Sequence, residues 1–367
     1  MSKPRVLFSI PTRHHVEIAL DELTGLQELG YTCEQFPYAA KEGVQSKFGR
    51  LWVILQNAFY LIKTARKFKP NVIYFNSRLE VLAGIRDFIT IAICKTFYRH
   101  PVCYVIKSHG SDIDVLANKE GFFATTVLPY LKKNISGWLF LSTEERSKII
   151  ETQYFSVNKI YVTKNIVRTG QFTIDEQFKS KLNIPTDHQI LLFVGRVIKE
   201  KGVYEVVKAF AQITDKHRES TLIIVGSGPE LENLRSLTNS LKITDRIIFT
   251  GFIPEKEVVN YYANSDILVF PTYFPEGFPM ALFNSVAAGM AVVTTPTRAA
   301  TDYLTEQENC IWVEPKNFNN VSLALDKLLQ SVPLVTYMKK NNLAKGIEFG
   351  RERVSMELAE ILKQIVE

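Results

Sequence analysis

The sequence predicts an α/β protein with two doubly wound parallel sheets. Short apolar runs, most of which end near Gly, Ser or Asn, alternate with longer amphipathic stretches along the chain. This series occurs twice, on either side of a polar passage at residues 161–189. Because strands that alternate with helices form parallel sheets, we expect ligand crevices at the carboxyl ends of the strands.

Apolar runs before and after the polar passage are the predicted strands. They are RVLFSI, NVIYFNS, VCYVIKSHG, GWLFLS and IYVTKN, then ILLFVGR, TLIIVGSG, RIIFTGF, ILVFPT and AVVTTP. Helical spacing predicts helices between them, such as VEIALDELTGLQELG, which Gly30 ends, and GVYEVVKAFAQITDKH. We therefore expect one domain at residues 1–165, a second at 166–349 and a final amphipathic helix at 350–367.

Length and composition fit a soluble protein with two hydrophobic cores. The chain has 367 residues, of which 46% are hydrophobic and 22% charged. Its first apolar run, Val6 to Ile10, is too short for a signal peptide, and no run approaches the roughly 18 residues of a membrane span. The four cysteines are scattered, without metal-ligand or redox spacing. We expect a cytoplasmic protein with reduced thiols.

The positive charge lies in the first half of the chain. Residues 1–170 contain 23 Lys and Arg against 14 Asp and Glu, whereas the remainder contains 21 against 24. A basic half suggests nucleic acid, anionic lipid or another acidic partner. No zinc-finger spacing, RNA-binding aromatic motif or Lys-rich tail accompanies the charge, so nucleic acid is not the expected partner.

The segment SKFGRLWVILQNAFYLIKTARKFK, residues 46–69, has the composition of an interfacial helix. Trp52, Phe59 and Tyr60 lie in its apolar centre, and basic residues flank them on both sides. The local alternative is a core helix with a solvated basic end. The charge of the whole first half favours the interfacial interpretation. It predicts a cytoplasmic protein that makes peripheral contact with the anionic inner face of the cytoplasmic membrane.

The segment FVGRVIKEKG places basic residues at the end of a predicted strand. Gly195 and Arg196 follow the strand directly, and Lys201 and Gly202 precede the next helix. Such a turn presents two cations at a strand carboxyl end, where they suit phosphate oxygens. The alternative is a solvated basic loop.

The segment PEGFPMALFNSVAAGMAVV predicts a helix whose N-terminus binds an anion. Gly277 and Phe278 would offer free N–H groups at the positive end of the helix dipole, and Pro279 suits the first turn. Glu276, just outside the predicted helix, and Asn284, within it, are eight positions apart, which is about two helical turns, so both side chains should point to one side. Separately, each has an ordinary interpretation as a helix-start acid or a polar face residue.

Two further motifs leave alternatives open. In KSHGSDIDVL, His109 lies just beyond the apolar part, VCYVI, of a predicted strand and could bind a sugar hydroxyl or a phosphate, or be an ordinary loop histidine. The acids Asp112 and Asp114 resemble a metal-binding pair, but two acids in a loop are common. In VGSGPELENL, Leu231 occupies the place of a third glycine, which favours a simple helix-initiating turn over a dinucleotide site.

Together these motifs resemble family 4 of the glycosyltransferases, whose GT-B fold has two Rossmann-like domains that face each other across a cleft. The resemblance covers the second half, where FVGRVIKEKG, LIIVGSGPELENL, IIFTGF, ANSDILVFPTYFPEGFP and SVAAGMAVV follow the family's order. In the first half, the main matches are the first strand, HGSDID and YVTKNIVRTGQF. In similar proteins the final helix packs back on the first domain.

The resemblance implies four catalytic residues. Arg196 and Lys201 would hold the donor diphosphate, and Glu276 would bind a hydroxyl of the donor sugar. His109 would approach the transferred sugar. A diphosphate that leaves an anomeric carbon gains negative charge, which two cations and a helix N-terminus stabilise without an obligatory metal.

The implied donor-binding residues include departures from the family. Gly195, the N–H groups of Gly277 and Phe278, and Ile253 near the base match it. Asn284 stands where the family has a Glu that contacts the ribose, so ribose binding should lack that charge.

Two other loops also differ from the family pattern. The first loop lacks the usual Gly-Gly pair, so Arg13, His14 or His15 would contact phosphate or acceptor instead. Asp302 lies near the place of another usual Glu.

The resemblance implies a retaining transfer of a sugar from a nucleotide-sugar donor to a glycan or lipid-linked acceptor, in cell-surface polysaccharide biosynthesis, with no cofactor. The leaving phosphate oxygen would accept the acceptor proton. Two alternatives remain: another GT-B sugar-nucleotide enzyme, such as an epimerase or phosphorylase, and a non-catalytic binding or scaffold subunit that keeps the fold.

Overall fold

The computed structural model describes residues 3–12, 16–38, 43 and 46–367. The chain forms two compact units. Unit 1 comprises residues 1–166 and 351–367, and unit 2 comprises residues 167–350. Each unit contains one six-stranded parallel sheet flanked by helices.

The strands and helices are numbered in chain order. The strands are β1 (Val6–Ile10), β2 (Cys33–Pro37), β3 (Val72–Leu79), β4 (Cys103–Ser111), β5 (Gly137–Phe140), β6 (Ile160–Val162), β7 (Gln189–Val194), β8 (Ser220–Val225), β9 (Ile247–Gly251), β10 (Ile267–Phe270), β11 (Ala291–Thr294) and β12 (Ile311–Trp312). The helices are α1 (Val16–Glu28), α2 (Lys47–Phe68), α3 (Val81–Phe97), α4 (Leu128–Asn134), α5 (Thr143–Glu151), α6 (Phe178–Lys181), α7 (Val203–Ile213), α8 (Leu231–Ser240), α9 (Glu255–Ala263), α10 (Met280–Ala287), α11 (Ala299–Tyr303), α12 (Phe318–Leu329), α13 (Val332–Gly346) and α14 (Arg351–Val366).

The sheet of unit 1 has the order β2-β1-β3-β4-β5-β6 and is buried on both faces. Successive side chains of a strand point to opposite faces, so Val6 and Phe8 join one apolar cluster while Leu7 joins the other. Helices α1 and α14 cover the Val6 side, where Leu358 and Leu362 are buried. The order changes direction between β1 and β3, which marks the ligand crevice of such sheets.

The sheet of unit 2 has the order β12-β11-β10-β7-β8-β9. The chain starts at β7, runs outward through β8 and β9, and then returns to β10 on the other side of β7. The order therefore reverses between β7 and β10. In doubly wound sheets ligands bind outside the carboxyl ends of the strands at this reversal.

These two sheets confirm the predicted fold class, and each predicted strand run overlaps a strand of the structure. Strands β2 and β12 were not predicted. Both lie at the edge of a sheet. No helix within the described ranges is long and apolar enough to cross a membrane.

Candidate functional site

The candidate site is formed by the two loops that follow β7 and β10. The first carries Arg196 and Lys201, and the second carries Glu276. Their backbones are tied together, since the carbonyl oxygen of Glu200 accepts hydrogen bonds from the Tyr273 N–H at 2.9 Å and the Thr272 hydroxyl at 3.3 Å. The sheet reversal thus places the basic loop directly beside the acidic one.

Gly202 explains how the two loops approach so closely. It has a φ of 73°, in the left-handed region, where residues with a side chain are strained. A Cβ at this position would also collide with the carbonyl group of Pro271. Only glycine therefore lets α7 begin directly after Lys201 while the β10 loop passes over it.

Lys201 is a buried cation held between acid and aromatic groups. Its side chain is 6% exposed, and its ammonium group is in contact with the Glu276 carboxylate. The same ammonium lies 5.2 Å from the centre of the Phe274 ring, and the Arg196 guanidinium lies 5.0 Å from that ring. Cation–π attraction therefore orients both cations on one aromatic side chain.

Burial and, secondly, the Arg196 guanidinium lower the pKa of Lys201 to about 7. An ammonium in such a place loses hydration and is repelled by its cationic neighbour. A ligand with negative charge would offset both effects. Of the two interpretations of this turn, a solvated basic loop does not describe Lys201, although Arg196 is exposed.

The segment before α10 is anchored by aromatic packing and by one arginine. Phe278 is buried, with its ring centre 3.8 Å from that of Phe283. The Arg298 guanidinium donates to the carbonyl oxygen of Pro275 at 3.0 Å. Among the described residues, the N–H groups of Gly277 and Phe278 donate no hydrogen bond. They are available to an anion, as expected near a helix start.

The eight-residue spacing of Glu276 and Asn284 does not measure two helical turns, so that argument was wrong. Helix α10 begins only at Met280, and Pro279 is its N-cap residue. Asn284 lies in the second turn of α10 and is partly exposed. Whether both residues contact one ligand stays a prediction.

Glycines let the loops after β7, β8 and β9 pack closely together at the carboxyl ends of these strands. Gly195 follows β7, and its N–H donates to Val225 at 3.0 Å. A Cβ at Gly226 would collide with the Gly195 carbonyl, which explains the first glycine of GSGP. Ile253, partly exposed, lies beyond β9, whose last residue, Gly251, accepts from the Gly226 N–H at 2.8 Å.

His109 lies in unit 1 and is held by neighbouring strands. The structure places it inside β4, not beyond the strand as the sequence suggested. Its Nε2 is 2.8 Å from Oδ1 of Asn76 in β3, and Asn76 in turn donates to the Ser9 carbonyl in β1 at 3.0 Å. The histidine is thus a buried, positioned side chain at the carboxyl end of the sheet.

The remaining candidate residues lie outside the loops that follow β7 and β10. Asp112 and Asp114 lie around a short 3₁₀ turn after β4, and the described residues contain no cluster of three or more metal-ligating side chains. Arg13, His14 and His15 lie outside the described residues. Asp302 is in α11.

The sequence interpretation missed several groups that position the site. Phe274 and Arg298 belong to unit 2, and Asn76 and Ser9 orient His109 in unit 1. A polar residue after a buried apolar run was a usable signal for Asn76, because such residues lie at the carboxyl edge of a parallel sheet. No comparable signal was available for Arg298.

Two units that each contain one doubly wound parallel sheet are the architecture of the GT-B class. Residues 174–345 match the family model described as glycosyl transferases group 1. The match lies within unit 2 and covers just under half of the chain, which is similar to this family over that range.

The chain is also similar to curated glycosyltransferases and, in its fold, to solved structures. An uncharacterised glycosyltransferase of Methanocaldococcus jannaschii is 26% identical over 64% of this chain, and the match spans only 64% of that relative. The N,N'-diacetylbacillosaminyl-diphospho-undecaprenol alpha-1,3-N-acetylgalactosaminyltransferase of Campylobacter jejuni is 22% identical over 86% of this chain and 82% of its own length. The crystal structure of Anabaena HepE in complex with UDP and glucose superposes with a TM-score of 0.75, at 15% identity, over 98% of this chain and 99% of that one.

Proposed function

We propose that the protein is a retaining glycosyltransferase that moves a sugar from a nucleotide-sugar donor to a glycan or lipid-linked acceptor in cell-surface polysaccharide biosynthesis. One observation carries this proposal. The buried Lys201 ammonium, the Arg196 guanidinium and the free N–H groups of Gly277 and Phe278 lie on adjoining loops at the reversal of the unit 2 sheet. These groups suit a diphosphate.

The contact of Lys201 with Glu276 suggests how the donor enters. A diphosphate would compete with the Glu276 carboxylate for the ammonium and carry more negative charge than it. Once displaced from Lys201, Glu276 could accept a hydrogen bond from a donor-sugar hydroxyl, the role that the family resemblance implies. The positive groups would then stabilise the charge that develops on the leaving diphosphate.

The proposed acceptor is presented at a membrane surface. The Campylobacter jejuni relative has a name that specifies a saccharide on diphospho-undecaprenol. In this chain, α2 exposes aromatic residues between basic ones, which supports peripheral contact with an anionic membrane. The expected setting is the cytoplasmic face of that membrane.

Release of nucleoside diphosphate tests the proposal. The purified chain is incubated with a panel of nucleotide sugars, with and without lipid-linked acceptors, and the released diphosphate and the anomeric configuration of the product are measured. We expect release that depends on acceptor and a product that retains the donor configuration. Donor binding without turnover would support the scaffold alternative, and donor epimerisation would support a different sugar-nucleotide enzyme.

Donor affinity should fall as the pH rises above about 7. Lys201 has a pKa of about 7. A bound diphosphate should raise this pKa, because its negative charge favours the protonated ammonium. Affinity is then constant below pH 7 and falls by up to about tenfold per pH unit above it, until the bound-state pKa is reached. Calorimetric titration with a nucleotide sugar between about pH 6 and 9 measures this slope. Lys201→Arg keeps its charge and should flatten it; an equal slope in that variant would contradict the assignment.

Asn284 should be a ribose contact that lacks charge. Asn284→Glu is expected to tighten donor binding, because a carboxylate accepts stronger hydrogen bonds from a diol than an amide does. Asn284→Ala should weaken binding by about fivefold, the effect of roughly one lost hydrogen bond. Dissociation constants of the donor, measured for the wild type and both variants, test this role of Asn284. Unchanged constants in both variants would make Asn284 an ordinary residue of the helix surface.

A further inference from the structure

A basic pocket lies in unit 1, and its lining residues include neither His109 nor the residues that position it. It has a volume of about 450 Å³ and is formed where the C-terminal parts of α2 and α3 meet. Its lining residues are Arg66, Thr96, Phe97, Tyr98, Arg99 and His100. Neither the sequence motifs nor the proposed sugar transfer gives this pocket a role.

Within the ranges that the structure describes, no acidic side chain pairs with the basic side chains of the pocket. Arg66, Arg99 and His100 are all exposed, and in the described part of the chain none of them forms an ion pair. The Arg66 guanidinium donates to the carbonyl oxygen of Phe97 at 3.0 Å, which fixes it at the pocket wall. Its other N–H groups, and those of Arg99, remain available to an anionic oxygen.

The pocket continues into an exposed aromatic stripe on α2. Phe48, Trp52 and Phe59 are 87%, 63% and 54% exposed and share one helix face, on which Arg66 also lies. Phe59 contacts Phe97 of the pocket wall, with ring centres 6.0 Å apart. From Phe48 to Arg66 the stripe runs along about 27 Å of helix and changes from aromatic to basic.

We propose that the Arg66, Arg99 and His100 pocket binds the phosphate of an anionic phospholipid while the aromatic stripe of α2 enters the interfacial layer of the same bilayer. Guanidinium groups suit phosphate oxygens. Aromatic side chains beside basic ones are characteristic of helices that lie in the membrane interface. Helix α2 contains no acidic residue that would oppose the surface charge. A soluble phosphate would use the pocket but leave the adjoining aromatic stripe in water.

This inference rests on the proposed membrane contact but not on sugar transfer, so its test needs no donor. Vesicles of phosphatidylcholine with and without phosphatidylglycerol are titrated into the full chain while tryptophan emission is recorded. Of the three tryptophans, Trp138 is buried and Trp312 partly buried, whereas Trp52 is on the stripe. We expect a blue shift with anionic vesicles only, which is absent in Trp52→Phe and is reversed at about 1 M salt, where charges are screened within about 3 Å.

Two matched arginine variants test the pocket itself. Arg99→Gln should weaken binding to anionic vesicles by about fivefold, the contribution of one basic residue near such a surface. Arg218→Gln removes the same charge from an exposed site in unit 2 and should bind as the wild type does. Lys201→Ala should also bind vesicles normally, which separates this inference from the proposed transfer.

Three outcomes would overturn the inference. They are equal effects of Arg99→Gln and Arg218→Gln, equal binding to neutral vesicles, and binding of inorganic phosphate at the pocket, seen by NMR shifts at Arg99, without vesicle binding. The last would assign the pocket to a soluble anion instead of a lipid.

Discussion

Replacing Lys201 with Ala should lower kcat/KM for sugar transfer by about 30- to 1,000-fold, and Arg196→Ala should have an effect of the same order. Such factors correspond to about 2–4 kcal/mol of transition-state stabilisation, typical for the loss of one group that stabilises developing charge. Lys201 should be the more sensitive of the two, because its ammonium is buried and water cannot replace it, whereas Arg196 is exposed. Steady-state kinetics with the best donor measure both.

Lys199 provides the matched control for these variants. It lies in the same turn as Lys201, is exposed, and is 3.8 Å from Glu230 rather than at the Glu276 side of the loop. Lys199→Ala should therefore change kcat/KM by less than about threefold, as expected for an exposed ion pair worth under about 1 kcal/mol. Near-normal turnover in both Arg196→Ala and Lys201→Ala, with the fold retained, would remove the diphosphate assignment.

The sequence predicts all the interior strands of both sheets because strands buried on both faces are continuous apolar runs. The two missed strands lack this signal. In β2, CEQFP, only Phe36 is buried, and β12 has only two residues. Both are edge strands, which pair on one side and need fewer apolar residues, whereas the edge strands β6 and β9 were predicted because each begins with an apolar run.

Local motifs in the site were readable, but contacts between distant segments were not. The basic loop and the acidic loop could each be identified from its own residues. The direct contact of Lys201 with Glu276 and the support of Pro275 by Arg298 depend on the neighbouring positions of β7, β10 and β11 in the sheet. Strand order is a property of the folded unit, and no single motif encodes it.

The final helix illustrates how much of unit 1 depends on residues far apart in sequence. Arg351, the first residue of α14, forms ion pairs with Asp21 at 2.8 Å and Glu28 at 3.0 Å, both in α1. Further along the helix, Glu357 pairs with Lys164 at 2.9 Å. These polar contacts set the position of α14, while its buried leucines cover the apolar side of the sheet. The leucines should therefore supply most of its contribution to stability.

Leu362→Ala should lower the free energy of unfolding of unit 1 by about 2–5 kcal/mol, because it removes a fully buried side chain and leaves a cavity against the sheet. Met356→Ala, at a half-exposed position of the same helix, is the matched control and should change it by less than about 0.5 kcal/mol. Urea unfolding followed by circular dichroism measures both.

Deletion of residues 351–367 should have a larger effect than Leu362→Ala. It removes three buried apolar side chains, Val354, Leu358 and Leu362, each worth about 1.5–3 kcal/mol. Their sum approaches the whole stability of a typical domain, about 5–15 kcal/mol, so unit 1 should lose its cooperative transition while unit 2 keeps its own. If unit 1 of the truncated chain unfolds at the same midpoint urea concentration as in the wild type, α14 does not contribute to the stability of its core.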